Sequence, residues 1–527
     1  MGRKELSKCE YILMAIIPFI IRLAVIAITI KFSIQFLGII IGLIISLILL
    51  FLFLQFYIVI MKCFFNLEYV NGIEKVYITK NPKDGFHIVS CLYFSNYNQE
   101  EIYSFIYESY ICKLKRFRQK LTVKFFEFWF TEVSLEEAKS SIIKLQPFNS
   151  EEEIMNHIQK EMNEEIDIFN KLPYQIQIAH IGKEEEKKGI LIFKFEHLMT
   201  DGLGLISALC ATASNYNIDS FPSIIKKIKE SSFLETIVFW LLFPFYIIHS
   251  MFVFLPMKKY NSPLIPNNFS GNNKIKKGKS YKIKDFENFK KVNNISFNDL
   301  MLSVLSKSMY NLINLKKNEQ YIDKTRMRLF LPIARKKLPK SIDEIDLINK
   351  TNLVVCDVPI IKDFSNQSLN NIHIDARKYL KKYIQFAYIK ITTLIGIICS
   401  WPIFEIAAQA LCNRFELAFT NIPGPKIKIY YKENVIEDLI TFITPSRGLP
   451  FITLISYNEL FNFTLSIDQN CNIKPEEYLN LIENELDELC KQSNKIQNID
   501  SIINVKSDYE NEETNSELDS QLESHLL

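Results

Sequence analysis

Features that identify several common classes of protein are scarce or missing in this sequence of 527 residues. Basic and acidic side chains nearly balance, 62 against 59, and no basic face with interleaved aromatic residues is present, so no nucleic-acid partner is indicated. The ten cysteines form no CxxC pair, which argues against a zinc site and a dense disulfide framework. Internal repeats are missing too. We expect reduced cysteines in a cytosolic redox environment.

The front of the chain, by contrast, is rich in apolar residues. Residues 11–61 carry only two charges, Arg22 and Lys31. Because a membrane-spanning helix needs roughly 20 apolar residues, 34–60 are long enough to span, whereas 11–30 are interrupted. We predict that residues 1–65 form a membrane anchor with one or two transmembrane helices. A two-helix hairpin is favoured over a single span preceded by an interfacial helix.

The basic residues that precede this segment, Arg3, Lys4 and Lys8, predict a cytosolic N-terminus. A hairpin would return the rest of the chain to the cytosol. The expected location is a cytosol-facing membrane, with the endoplasmic reticulum first and the lipid droplet second.

Two further apolar runs are interrupted by polar residues or proline. Residues 233–256 contain Glu235, Pro244 and His249, so they predict a segment lying in the membrane surface, with a buried crossover helix as the alternative. Residues 389–412 are broken by a Trp-Pro pair and predict a core helix or a tunnel wall.

The remaining sequence predicts two lobes of alternating helices and strands. The expected domains are a first lobe at 66–232, an apolar surface segment and linker at 233–280, a second lobe at 281–499 and a disordered acidic tail at 500–527. Expected elements are a helix at 100–120, a strand at 190–195, a helix at 202–214, a helix with a capping box at 296–299, and a hairpin that turns at 457–459.

One short motif combines residues that suit acyl transfer. His197, Asp201 and Gly202 follow a predicted strand and precede a predicted helix. A neutral imidazole can take the proton of an acceptor hydroxyl as its oxygen attacks a thioester. Asp201 would fix the loop, and Gly202 would permit a close approach or a positive φ. The alternative is a buried structural histidine followed by a helix N-cap.

This motif resembles HHxxxDG of the wax ester synthase/diacylglycerol acyltransferase family, which belongs to the chloramphenicol acetyltransferase-like superfamily. Further resemblances occur in family order at 171–174 (KLPY), 296–300 (SFNDL), 331–335 (LPIAR), 420–425 (TNIPGP) and 456–458 (SYN). The resemblance implies a two-lobed α/β fold with mixed sheets, in addition to the predicted transmembrane segment.

Roles implied by the resemblance fall on a small set of residues. His197 would be the general base, and Asp201 would orient its loop together with Arg335. Asn298 would donate to the thioester oxyanion or, equally, would begin a helix. Asn421 and Gly424 would shape a turn.

The chain departs from the family pattern at two places. Glu196 replaces the first histidine of the motif, which raises the question of whether it alters the neighbouring pKa. The segment that includes Pro173 has lost the family's Leu-Trp pair.

The function implied is transfer of a long-chain acyl group from acyl-CoA to a fatty alcohol or diacylglycerol at a lipid membrane, with no cofactor beyond the acyl-CoA substrate. One alternative is a catalytically silent lipid-binding or scaffold homologue. Another is an acyltransferase acting on a different acceptor, such as a sterol.

Overall fold

The structure, a computed structural model, describes the greater part of the chain. The residues it describes are 16–79 with gaps at 19, 26 and 32–38, 85–221, 238, 242, 245, 262–316, 324–379 apart from 335, 401–402, 405–406, 412 and 414–496. The predictions for the basic N-terminal residues, most of 233–256, most of 389–412 and the tail at 500–527 lie outside these ranges.

Strands and helices alternate through the body of the chain. The strands are β1 Glu68–Tyr69, β2 His87–Ser95, β3 Gln119–Lys124, β4 Glu127–Glu132, β5 Ile142–Lys144, β6 Tyr174–His180, β7 Lys188–Glu196, β8 Asn273–Lys277, β9 Tyr281–Lys282, β10 Arg326–Ala334, β11 Thr351–Pro359, β12 Leu417–Pro423, β13 Tyr430–Tyr431, β14 Asn434–Ile443, β15 Phe451–Tyr457 and β16 Leu460–Asp468. The helices are α1 Ile39–Phe65, α2 Gln99–Ile106, α3 Leu135–Lys139, α4 Glu151–Asn163, α5 Gly202–Ala211, α6 Glu287–Val292, α7 Phe297–Lys316, α8 Asn366–Tyr379 and α9 at 475–496.

Helix α1 lies inside the predicted membrane anchor. Where the structure describes the chain, no helix combines the length and apolar character that a bilayer crossing requires. The 27 residues of α1 are apolar in sequence, but side chains at 39–44, 46–48 and 51 fall outside the description. The transmembrane part of the predicted fold is therefore unsupported.

The first lobe is built on a six-stranded mixed sheet in the order β13-β14-β2-β7-β6-β5. Its central strand, β7, has the sequence KGILIFKFE and is buried on both faces. Ile190 and Ile192 face α4, whereas Leu191 and Phe193 face the main core, as the period-two geometry of a strand requires. Burial on both faces explains the nearly continuous apolar run.

A small antiparallel sheet in the order β1-β4-β3 lies against α1. Trp129 of β4 packs with Met61 of α1 and with Leu67 in a separate buried cluster. The small sheet therefore joins the predicted anchor to the first lobe.

The second lobe contains a seven-stranded sheet in the order β11-β10-β12-β15-β16-β8, with β9 also paired to β16. Helices α7 and α8 pack on it through a second core. The predicted hairpin is confirmed, because β15 and β16 flank Asn458 and Glu459, both with positive φ, as a two-residue turn requires.

Two strands cross the lobe boundaries expected from the sequence. Strand β14 pairs with β2 in the sheet of the first lobe, although it lies in the range assigned to the second. Strand β8 pairs with β16, so 273–277 belong to the second sheet rather than to a linker. Pairing between distant strands leaves no local pattern in the sequence, which is why both were missed.

The helix predicted at 100–120 is shorter than expected. It comprises α2 and a π-helical turn at Tyr107–Ile111, and β3 begins at Gln119. Leu114 has an extended backbone and ends the helical run.

Candidate active site

His197 directly follows the last residue of β7 and begins the loop that leads into α5. Its backbone N–H donates to the Phe86 carbonyl at 2.7 Å, which joins the loop to the start of β2. Its ring stacks on Tyr77, with centroids 4.2 Å apart and planes inclined by 6°. His197 is only 8% exposed, so its orientation is fixed by packing as well as by hydrogen bonds.

Asn349 holds the other side of His197. Its amide nitrogen lies 2.9 Å from both Nδ1 and the backbone carbonyl oxygen of His197. Its amide oxygen accepts from the Thr351 N–H at 3.0 Å, which fixes the orientation of the amide. The sequence contained no signal for Asn349, because it belongs to no motif and lies 152 residues from its partner.

Burial lowers the pKa of His197 below its ordinary value of 6.5. Hydrogen bonds to its own backbone and that of Thr200, and the negative charge of Asp201, oppose this shift, while Lys336 adds to it. The ring is therefore neutral near pH 7 and able to accept a proton.

Asp201 is fully buried and has two structural roles. Its Oδ1 accepts from the Gly204 N–H at 2.7 Å and caps α5. Its Oδ2 lies 3.0 Å from Nζ of Lys336 and accepts from the Lys350 N–H at 2.8 Å. Both predicted roles, helix cap and loop anchor, occur together, and Lys336 is the cation that the structure pairs with Asp201. The predicted partner, Arg335, lies outside the described residues.

The two glycines at the start of α5 allow its first turn to pack tightly. A Cβ on Gly202 would lie 2.8 Å from Cδ1 of Ile422 in β12, so the glycine permits a close approach, and its φ is not positive. A Cβ on Gly204 would lie 2.5 Å from Nζ of Lys336. The Gly202 contact brings the two lobes together beside the His197 loop.

A buried ion pair between Glu74 and Arg116 contacts the loop that follows His197. Nε of Arg116 donates to the Met199 carbonyl at 3.2 Å, and Glu74 accepts from the Asn349 N–H at 3.4 Å. Burial raises the pKa of Glu74, and the Arg116 guanidinium opposes that shift. Sequence reasoning missed this pair, whose members lie 42 residues apart.

Glu196 lies on the opposite face of the sheet from the His197 environment. It is paired across the strands with His87, whose Nε2 lies 2.9 Å from the Met162 carbonyl of α4. Lys194, two residues earlier, pairs with Glu161 of α4, as the alternation of β7 requires. The replacement of the first motif histidine therefore changes the side of the sheet that faces α4.

Asn298 and Asn421 meet in the second lobe, but not at His197. Nδ2 of Asn421 donates to Oδ1 of Asn298 at 2.7 Å in an exposed position. Ile422 faces Gly202 and the first core, so Asn421 faces the opposite side of β12, toward α7. The oxyanion role of Asn298 stays a prediction to which this geometry adds nothing.

Gly424 shapes the end of β12 and Ser296 caps α7. A Cβ on Gly424 would lie 2.2 Å from the Ser456 carbonyl oxygen, and the Gly424 N–H donates to Oγ of Ser456 at 3.1 Å. The predicted capping box has both of its bonds, since Oγ of Ser296 accepts from the Asp299 N–H and Oδ2 of Asp299 accepts from the Ser296 N–H.

A small surface depression with a volume of about 40 Å³ opens elsewhere, between the end of α4, the start of β8 and the end of β14. It is lined by residues of both lobes, including His87, Asn163, Asn273 and Thr444, and not by His197. No group of three or more possible metal-ligating side chains occurs among the described residues.

Comparison with known proteins identifies the domain that contains Asn349. The family model of the WS/DGAT C-terminal domain matches residues 348–490. No curated protein matches the sequence.

Several solved structures share the fold. The wax ester synthase/diacylglycerol acyltransferase from Marinobacter aquaeolei VT8 is 14% identical, with a TM-score of 0.53, over 81% of this chain and 100% of that one. TRI3 trichothecene 15-O-acetyltransferase from Fusarium sporotrichioides is 10% identical, with a TM-score of 0.58, over 80% and 94%. The epimerization domain from the third module of tyrocidine synthetase B is 10% identical, with a TM-score of 0.51, over 82% and 97%. The predicted α/β fold with mixed sheets is confirmed, because these structures share it.

Proposed function

We propose that this chain, an acyl-CoA-dependent acyltransferase with a WS/DGAT C-terminal domain, transfers a long-chain acyl group to the hydroxyl of a fatty alcohol or diacylglycerol. The observation that carries the proposal is the buried His197. Its lowered pKa keeps the ring neutral, and Tyr77 and Asn349 hold it in place. An oriented neutral imidazole is what deprotonation of an alcohol requires.

The proposed step needs one nitrogen of His197 with a free lone pair. Nε2 removes the proton from the acceptor hydroxyl while the oxygen attacks the thioester carbonyl carbon. The tetrahedral intermediate then expels the CoA thiolate, which takes the proton back from Nε2. No bond to the enzyme forms. With the Asn349 amide donating to Nδ1, the ring proton lies on Nε2. In the reactive tautomer the proton lies on Nδ1 and is donated to the backbone of His197 or Thr200, so the Asn349 amide keeps only its bond to the His197 carbonyl.

His197 becomes positively charged during this step, and two neighbouring side chains, Asp201 and Lys336, affect the stability of that charge. The carboxylate of Asp201 raises the pKa of His197 and so stabilises the imidazolium, whereas Lys336 has the opposite effect. Lys336 and Asp201 form an ion pair at 3.0 Å, and Asp201 has the larger effect of the two on the pKa of His197. The ion pair therefore orients the loop rather than supplying a proton.

The acceptor class and the membrane setting rest on the sequence and on a comparison. The structural match from Marinobacter aquaeolei is a wax ester synthase/diacylglycerol acyltransferase by name, and both of its acceptors dissolve in membranes. The apolar front of this chain would hold the enzyme at such a surface, with the endoplasmic reticulum or the lipid droplet as the proposed site and acyl-CoA supplied from the cytosol.

One observation favours a second candidate, a catalytically silent lipid-binding homologue. The ring of His197 is covered by Tyr77, and the depression described above does not reach it. His197 is only 8% exposed, which is what a purely structural histidine would show.

A single comparison of variants tests the proposal. Membranes with the wild-type chain, His197→Ala or His180→Ala would be given labelled palmitoyl-CoA with hexadecanol, diacylglycerol or a sterol. His180, half-buried in β6, is the matched control. We expect ester from the wild type and the control, and at least a hundredfold less from His197→Ala, in keeping with the 10²–10⁴-fold typical of a general base.

The other outcomes separate the candidates. Equal ester from all three proteins would remove His197 from the reaction. No ester from a folded wild-type protein with any acceptor would favour the silent homologue.

A further inference from the structure

We propose that the tip of the β3–β4 hairpin and the C-terminal end of α1 form one apolar surface that docks on a lipid bilayer. This inference rests on the proposed function, because it names the surface through which the enzyme would reach membrane-dissolved acceptors. We call the two parts the hairpin tip, Phe125 and Phe126, and the α1 end, Phe64 and Phe65.

The hairpin tip places two aromatic side chains where the backbone disfavours them. Phe125 and Phe126 form the two-residue turn, with φ of 53° and 63°. Such turns favour asparagine and glycine, because a bulky side chain in the left-handed region is strained. Both rings are nonetheless about half exposed, so burial in the core does not compensate for the strain.

The hairpin is held firmly at its base. Glu127, directly after the tip, is buried and pairs with Lys75 at 2.8 Å and with Arg22. Trp129 packs edge-on against Tyr57 of α1 at 5.8 Å. The tip therefore projects in a fixed direction relative to α1.

The α1 end continues the apolar surface. Leu50, Leu54 and Met61 are buried on one side of α1, and at 3.6 residues per turn Phe64 and Phe65 flank that same side where the helix ends. Leu52, Phe56 and Val59 are exposed on the opposite side of α1 and are not part of this surface. Phe64 is 79% exposed, and Phe65 contacts Phe125 of the tip at 5.3 Å between ring centroids. Contiguous exposed apolar patches of this kind mark contact with another phase or partner.

Charge at the edge of this surface favours a bilayer over a second copy of the chain. Lys62 and Lys124 are exposed next to the aromatic residues. Aromatic rings at the boundary with basic side chains beside them are typical of residues at a lipid headgroup layer. If the same surface of a second copy covered it, these lysines would face one another, and like charges repel.

Depth-dependent quenching tests the contact directly. Phe126→Trp would be mixed, as the full chain, with vesicles of brominated phosphatidylcholine and phosphatidylserine. Leu315→Trp, at a position 67% exposed in the second lobe, is the matched control. We expect the added fluorescence of Phe126→Trp to be quenched at least twofold more than that of the control. Equal quenching of the two, or no quenching, would overturn the proposal.

A second variant separates docking from catalysis. Phe125→Ser with Phe126→Ser should lower turnover of vesicle-dissolved acceptor at least fivefold and leave turnover of a water-soluble short-chain alcohol within twofold. Leu315→Ser with Val292→Ser, two exposed residues elsewhere, should change neither. An equal fall with both acceptors, or no fall with either, would contradict docking through the tip. If no protein makes ester but Phe126→Trp is quenched, the docking surface stands and the proposed reaction fails.

Discussion

The His197 loop and the pair formed by Asn298 and Asn421 were both selected by motif, yet the structure treats them differently. His197 and Asp201 are buried and bonded to residues from distant parts of the chain. Asn298 and Asn421 bond to each other at the surface. The motifs alone did not separate these cases, because a pattern of letters does not report burial.

What distinguishes the loop is a complete set of partners around a buried ionisable group. Buried polar groups are costly unless they are hydrogen-bonded, so a network of them is retained only where its members fit closely. Tyr77, Asn349 and the Glu74–Arg116 pair surround His197 in this way. The exposed asparagines need no such support.

The largest expected effect on stability comes from Asp201→Asn. This change leaves Lys336, which is buried, without its countercharge, and breaking a buried pair from one side costs about 3–5 kcal/mol. Urea unfolding should show that loss, whereas Asn421→Ala should cost no more than about 1 kcal/mol. Replacing Lys336 by Met in the Asp201→Asn background should restore part of the stability. If Asp201→Asn lowered the free energy of unfolding by less than about 1 kcal/mol, the His197 loop and the Asn298–Asn421 pair would not differ in the way described.

Asn349→Ala should lower kcat next most. The His197 ring loses the contact that fixes one side of it, and misplacement of a catalytic group can cost up to about 10²-fold. Asn349→Asp offers a sharper readout, because a carboxylate beside Nδ1 would raise the pKa of His197 and shift the acidic limb of the kcat/KM profile to higher pH. A profile unchanged in Asn349→Asp would argue that Asn349 does not act through the ring.

The pH dependence of the wild type follows from the burial of His197. Activity needs the neutral ring, so it should fall as pH decreases through a pKa below 6.5. An exposed histidine with the ordinary pKa would be about three-quarters protonated at pH 6. We expect kcat/KM at pH 6 to stay above the quarter of its plateau value that a histidine with the ordinary pKa would leave. A midpoint above 6.5 would contradict the assignment of His197 as a base in its observed environment.

The smallest effect is expected for Asn298→Ala. Because its side chain is exposed and bonds to Asn421 at the surface of the second lobe, kcat should change by less than about threefold. Loss of an oxyanion donor would instead lower kcat by about 10²–10³-fold. A loss of that size in steady-state assays would show that Asn298 takes part in the reaction, and it would contradict the contrast with the His197 loop.

Sequence reasoning succeeded where the signal was local. The strand before His197, the helix capped by Asp201 and the hairpin at Asn458 were all expected from spacing and turn residues, and the structure contains them. It failed where the partner was remote. Lys336 was missed as the partner of Asp201, and Asn349 had no motif to mark it.

The sequence by itself determined which side chains could carry chemistry, because the order strand, histidine, aspartate, glycine and helix depends on neighbours a few residues apart. Only the tertiary structure decided what surrounds them. Asn349 reaches His197 across 152 residues, and β14 joins the first sheet by pairing with β2, as in Ile443 against Ile88. Closing such long loops depends on the packing of the whole core, and no short pattern of residues encodes it.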